Sequence, residues 1–151
     1  MIRVYTDGAA QGNPGPGGFG VILRFNGHEK EISQGFRLTT NNRMELLAVI
    51  VALEAIKKTD IPITVFSDSK YVTEAIEKGW LWNWQKKNFK DKLNVDLWLR
   101  YIPLHHKFRP RFHWIRGHAG HAENERCDAL AVAAAKSSHL LVDEAYEKLR
   151  K

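Results

Sequence analysis

Apolar and polar residues alternate from Ile2 to Thr6 as I-R-V-Y-T, and the stretch ends at Asp7-Gly8. That period of two predicts a strand entering a turn, with Arg3, Tyr5 and Asp7 on one face. The glycine-rich run from Gly12 to Gly18 predicts a tight excursion, and G-V-I-L-R-F from Gly20 predicts a second strand. Asn26-Gly27 is a strong hairpin signal, with a return strand from about Glu29 to Phe36. The stretch from Asn42 to about Lys58 has no proline or glycine and is rich in Leu, Ala, Met and Ile. It predicts a well-buried helix, with capping side chains in Thr39-Thr40-Asn41-Asn42.

Asp60-Ile61-Pro62 breaks that helix, and I-T-V-F-S leads as a fourth strand into Asp68. Ser69 opens a second helix running to about Lys78 and stopped by Gly79. Trp80 to Lys92 holds three tryptophans and then four lysines. On residue type alone that segment is a helix–helix corner with a solvated basic face. A helix from about Val95 to Ile102 follows, then R-F-H-W-I as a fifth strand, a loop at Gly117–Gly120, and a helix over E-N-E-R-C-D-A-L-A-V-A-A-A-K. The tail from Ser137 is polar, with one further helical piece. The expected architecture is α/β: a mixed sheet with helices on both faces, in which the first helix supplies the crossover between parallel strands.

With 151 residues and 44% hydrophobic content, the chain suits one domain spanning 1–151. It has no repeat or linker. One cysteine, Cys127, excludes an internal disulfide and is compatible with a reducing compartment. No signal-like or membrane-spanning segment stands out, so the expectation is a cytoplasmic protein. A net charge of +6 favours a polyanionic partner.

The chemistry concentrates in carboxylates. Asp7 and Asp68 fall at predicted strand ends, and Glu45 shares a helix face with Val49, Ala52 and Ile56, otherwise suited to packing on the sheet. A buried unpaired charge is costly, and a divalent cation would answer it. Hard oxygen ligands suit Mg²⁺ or Mn²⁺ rather than zinc. The plainer reading is a solvated cluster in which Glu45 offsets a helix dipole. His118, His121 and Cys127 lack the spacing of a zinc site, and Cys127 reads as a small buried hydrophobe. The glycine-rich run is not a phosphate loop, because no G-K-[ST] follows it.

Five stretches, in this order, resemble the type 1 ribonuclease H family, its bacterial single-domain members above all: Y-T-D-G-A-A-Q-G-N-P-G-P-G-G-F-G, T-T-N-N-R-M-E-L, F-S-D-S-K-Y-V, N-V-D-L-W and G-H-A-G-H-A-E-N-E-R-C-D-A-L-A. The similarity runs from about Ile2 to Lys136. It implies a five-stranded mixed sheet flanked by helices, and cleavage of the RNA strand of RNA–DNA hybrids with two-metal-ion catalysis, leaving 5′-phosphate and 3′-hydroxyl ends. By resemblance Asp7, Glu45, Asp68 and Asp128 hold two Mg²⁺ ions in the substrate complex, with Mn²⁺ a substitute, and His118 assists proton movement or product departure.

The resemblance also implies the substrate contacts. Gly8 and Asn13, in the loop after Asp7, match segments that read RNA sugars, as do Asn41 and Asn42. Thr40 and Asn94 match positions that grip a DNA-strand phosphate. Trp80, Lys86, Lys87, Lys90 and Lys92 fall in a basic protrusion around 80–95, where lysines contact phosphate. Lys70 stands where glutamine is common, Ala10 where cysteine is frequent, and the protrusion is short. These departures touch substrate contacts and spare the metal ligands. A monomer contains every residue named, and no obligate protein partner is expected. The competing readings are an integrase-like DNA nuclease and a non-catalytic hybrid-binding module.

Overall fold

The structure, a computed structural model, describes residues 1–116 and 121–149. Its sheet has six strands in the order β5-β4-β1-β2-β3-β6. Strands β1 (Ile2–Ala10), β2 (Gly15–Phe25) and β3 (His28–Thr39) form an antiparallel meander. Asn26 and Gly27 turn the hairpin with φ of 50° and 78°, as a two-residue turn requires. Strand β4 (Ile63–Ser67) lies parallel to β1, and β5 (Arg111–Trp114) parallel to β4. These are the five expected strands. The two-residue β6 (Leu140–Leu141) extends the sheet at the far edge, parallel to β3.

Helix α1 (Asn41–Ala55) packs on β1 and β2 and is covered from outside by α4 (Val95–Phe108), which explains its apolar composition all round. Thr40 caps α1 by accepting from the Arg43 N–H at 3.2 Å. The helix is shorter than expected: Ile56 takes extended backbone and turns its side chain into the core, so Lys57 and Lys58 follow outside the helix. Helices α2 (Lys70–Glu77) and α3 (Trp80–Lys86) flank the parallel edge, while α5 (Ala122–Ala135) packs on β1, β2 and β3, and α6 (Glu144–Leu149) packs on β3.

Three other boundaries differ from the sequence expectation, each for a physical reason. Much of the glycine-rich run is strand, because β2 starts at Gly15. Side chains at Gly18 and Gly20 would strike the α5 backbone, so glycine is what lets that helix approach the sheet. Strand β1 likewise runs past Asp7, with Gly8, Ala9 and Ala10 still paired to β2. Helix α4 continues through Pro103, where the sequence suggested an end at Ile102. Pro103 is exposed, so water can take the Leu99 carbonyl that its missing N–H leaves unpaired, while Tyr101, Ile102 and Phe108 are buried on the inner side. Among the described residues no helix is long and apolar enough to cross a membrane.

Candidate active site

Asp7 sits just past the last parallel pair of β1 and β4, Tyr5 with Phe66, and directly opposite Gly20 of β2. Opposed residues of an antiparallel pair share a face. On that face the Cys127 carbonyl fills the space a Gly20 side chain would need, which draws the Cys127–Asp128 turn of α5 toward Asp7. Gly8 points to the opposite face, where the backbone of Met44 and Glu45 fills its side-chain space. One glycine on each face thus brings α5 and α1 against the strand that carries Asp7. Asp68 follows β4, and Ser69 caps α2 by accepting the Val72 N–H at 3.1 Å. Trp114 on β5 donates its indole N–H to the Asp68 carbonyl at 3.0 Å, fixing that corner from the neighbouring strand.

Three carboxylates converge. One oxygen each from Asp7, Glu45 and Asp68 lies within 4.8 Å of the others. Asp128 lines the same open pocket of about 320 Å³ from α5, outside that tight group. A larger cavity of about 410 Å³ at the Met1 end of β1 gathers no comparable cluster, since its Glu29 is already paired with Arg24. Converging chemistry, not size, selects the site.

The electrostatics are those of an anion cluster short of positive charge. Burial and the Asp68 charge, with a further push from Asp128, raise the Asp7 carboxyl from 3.8 to about 8, against the pull of the Gly8 N–H at 2.9 Å. Burial and the charges of Asp7 and Asp68 push Glu45 well above the usual carboxylate range. Glu45 Oε1 and Asp68 Oδ1 are buried without a hydrogen-bond partner among the described residues. Orphaned acceptors at this cost fit a hard divalent cation, which would supply the missing partner to several oxygens at once.

The other expected residues fall into three places. Gly8, Asn41, Asn42 and Lys70 line the carboxylate pocket. Lys70 stacks its ammonium over Trp114 at 5.0 Å. Asn13, Thr40 and Asn94 line a neighbouring groove that also includes Asn42. The Asn13 side chain reaches across it to accept the Asn41 N–H at 3.2 Å. Trp80, Lys87, Lys90 and Lys92 line a third hollow on the protrusion, and Lys86 is exposed at the end of α3 outside its lining. Trp82 packs on His105 and His106, and Trp84 on Trp98, so both brace the protrusion from inside. His118 lies outside the described residues. Cys127 is fully buried with its thiol pushed up to about 12 by burial, as suits a core residue rather than a zinc ligand.

Some participants were not singled out from the sequence. Tyr71 lines the carboxylate pocket and accepts hydrogen bonds from Asn94 and Trp98, and nothing in its local pattern marks it. Arg43 carried the same signal as Glu45, a charge inside an apolar helix, but its partners Asp96 and Asp143 lie far along the chain.

The family model described as RNase H matches residues 1–136. The chain belongs to the RNase H family. It is 54% identical over 147 residues to the ribonuclease H of Desulforamulus reducens, covering 94% of this chain and 92% of that one. It is equally 54% identical over 142 residues to the ribonuclease H of Proteus mirabilis, covering 91% and 88%. Among solved structures, it is similar to LC9-RNase H1, described as a type 1 RNase H with the type 2 active-site motif, at a TM-score of 0.79 and 33% identity over 98% of this chain and 79% of that one. LC11-RNase H1, solved in complex with an RNA/DNA hybrid, gives a TM-score of 0.71 at 27% identity, covering 97% and 99%. RNase H enzymes depend on divalent metal, and among the described residues the Asp7–Glu45–Asp68 triad is a group that could hold one.

Proposed function

We propose that this chain is an endonuclease that hydrolyses the RNA strand of RNA–DNA hybrids, using two Mg²⁺ ions held by Asp7, Glu45, Asp68 and Asp128. The observation that carries the reading is the convergence of three carboxylates, two with orphaned buried oxygens, in a chain of the RNase H family. When bound, the ions (Mn²⁺ in place of Mg²⁺) supply positive charge at the scissile phosphate and activate water, giving 5′-phosphate and 3′-hydroxyl ends. Asp7, on β1 between the two helices, would be the central ligand, with Glu45 and Asp68 beside it and Asp128 completing the set from α5.

The protein's own residues select and hold the duplex. Asn41 and Asn42, exposed at the start of α1, and Gly8 and Asn13 face the RNA sugars, whose 2′-hydroxyls both donate and accept hydrogen bonds. Thr40 and Asn94 grip a phosphate of the DNA strand. Lys86, Lys87, Lys90 and Lys92, with Trp80, follow the backbone farther out, and Lys70 sits beside the cut. His118 moves a proton or helps the product leave, a task for a group titrating near neutrality. One chain supplies every residue named, which supports a monomeric enzyme, and a cytoplasmic location belongs to the same reading.

The test uses four end-labelled duplexes of one sequence: RNA–DNA, RNA–RNA, DNA–DNA, and DNA with a single ribonucleotide. Each is incubated with Mg²⁺, Mn²⁺ or EDTA, beside Asp7→Asn. Metal-dependent internal cuts in the RNA of the hybrid, lost in D7N, are expected. Preferential DNA cleavage would favour the integrase-like reading, and binding without cleavage in either metal the binding module. His118→Ala should lose less activity than D7N; an equal loss would remove His118 from its auxiliary role.

A further inference from the structure

Arg43, in the first turn of α1, is only 2% exposed, and its side chain bonds to groups from distant parts of the chain. Its Nε and Nη2 donate to Asp143 at 2.7 and 3.0 Å, and its Nη1 and Nη2 donate to Asp96 at 2.8 and 2.7 Å. Nη1 also donates to Asn94 Oδ1 at 3.3 Å, while the backbone N–H of the same residue donates to Thr40 Oγ1 at 3.2 Å. Asp143 is itself buried and accepts a third bond from the Thr39 hydroxyl at 2.7 Å.

A guanidinium can only donate, so whatever faces it must turn an acceptor inward. Asn94 therefore directs Oδ1 at Arg43 and its amide nitrogen away. One of the two amide protons goes to the Tyr71 hydroxyl at 3.0 Å, which leaves the other for the groove. Thr40, which lines the same groove, accepts the Arg43 backbone N–H as the cap of α1 and keeps its hydroxyl hydrogen to donate. The Arg43 side chain thereby leaves Asn94 with a donor and no acceptor toward that groove. Such a donor suits an anionic oxygen. Without Arg43 the Asn94 amide could turn its carbonyl oxygen to the groove and repel the anion.

Asp143 belongs to the segment beyond residue 136, where the RNase H match ends. That segment reaches the site by pairing β6 with β3, and Tyr146 and Leu149 of α6 line the same groove as Thr40 and Asn94. We propose that the C-terminal segment, through Asp143, holds Arg43 so that Asn94, beside Thr40, presents only a donor to a DNA-strand phosphate; Arg43 and Asp143 are positioning residues for substrate binding. This rests on the hybrid-nuclease reading above and adds to it a role for the tail.

The test is a double-mutant cycle on the full chain with Asp143→Ala, Asn94→Ala and the double variant, assayed for hybrid cleavage in Mg²⁺ below the measured melting temperature of each. Asp143→Asn, which keeps one acceptor and the shape, serves as a milder probe if D143A does not fold. Loss of a hydrogen bond to a charged group predicts a rise in KM of about tenfold for D143A and for N94A. The value of kcat stays within about twofold, because the contact holds substrate and transition state alike. The double variant matches N94A, because the influence of Asp143 passes through Arg43 to Asn94. D143N falls between wild type and D143A. An unchanged KM in D143A or N94A, or the same increase from D143A in both backgrounds, overturns the proposal. Failure of the wild-type chain to cut hybrids would instead refute the functional reading itself.

Discussion

The backbone of Glu45 occupies the space that a side chain on Gly8 would fill. The obstruction is main chain, together with the Met44 Cβ, so no rotamer change relieves it. Gly8→Ala must push α1 away from β1, and overpacking of this kind costs about 1–3 kcal/mol. The same shift moves Glu45 relative to Asp7. Urea unfolding should show the loss of stability, and kcat measured where the variant is fully folded should fall further than unfolding accounts for. A stable G8A with normal kcat would mean that the α1 approach does not set the carboxylate geometry.

The raised Asp7 carboxyl predicts an unusual dependence of stability on pH in metal-free protein. Its folded value is about 8 and its ordinary value 3.8, so the folded state binds the proton more tightly. The associated stability is fully present below about pH 4 and is lost as pH rises toward 8, amounting to a few kcal/mol. Glu45 shifts in the same direction. His105 acts oppositely: burial lowers its value, so its contribution is lost as pH falls. The difference in unfolding free energy between wild type and Asp7→Asn isolates the carboxylate effect. Without metal, D7N should gain on wild type as pH rises, and Mg²⁺ should stabilise wild type more than D7N at pH 8.

Lys86 and Lys87 are exposed at the end of α3, and neither forms an ion pair among the described residues. Replacing both with glutamine should weaken hybrid binding and lower the slope of log affinity against log salt by about 1–2, one released counterion per lost phosphate contact. The melting temperature should hardly move, because both side chains are in solvent. An unchanged slope would place the duplex elsewhere on the surface.

Cys127 is fully buried and its thiol is pushed up to about 12. Native protein at pH 8 should therefore resist alkylation by iodoacetamide, and urea-unfolded protein should react at once. Zinc added to metal-free protein should not quench Cys127 reactivity in the unfolded state any differently from a free thiol peptide. Rapid native alkylation would contradict the packing of α5 against Gly20.

The local pattern of the chain was enough for the β1–β3 meander, α1, α2 and β4, because each is carried by its own period, cap or breaker. It was also enough for Glu45, since a charge among buried aliphatic residues demands a partner wherever the helix is placed. The expected end of α4 at about Ile102 fell short for a local reason. The helix runs on through Pro103, whose exposed face lets water reach the carbonyl it leaves unpaired. The glycines from Gly15 to Gly18 read as a loop because composition records flexibility, whereas the need for glycine at position 18 comes from a helix more than a hundred residues later in the chain.

Residue type and order were sufficient for the family and the reaction class, and they named the candidate acidic ligands. Their proximity was not written locally. Asp7, Glu45 and Asp68 meet because glycine at position 8 admits α1, glycine at position 20 admits α5, and a parallel crossover brings β4 beside β1. The Arg43 network depends still more on folding, since it joins Asp143, Asp96, Asn94 and Thr40 from separate segments. Periodicity reports which face of an element is buried, but the partner across that face is chosen by packing of the whole chain. That is why the chemistry was legible in one dimension, while the groove beside Arg43 became visible only in three.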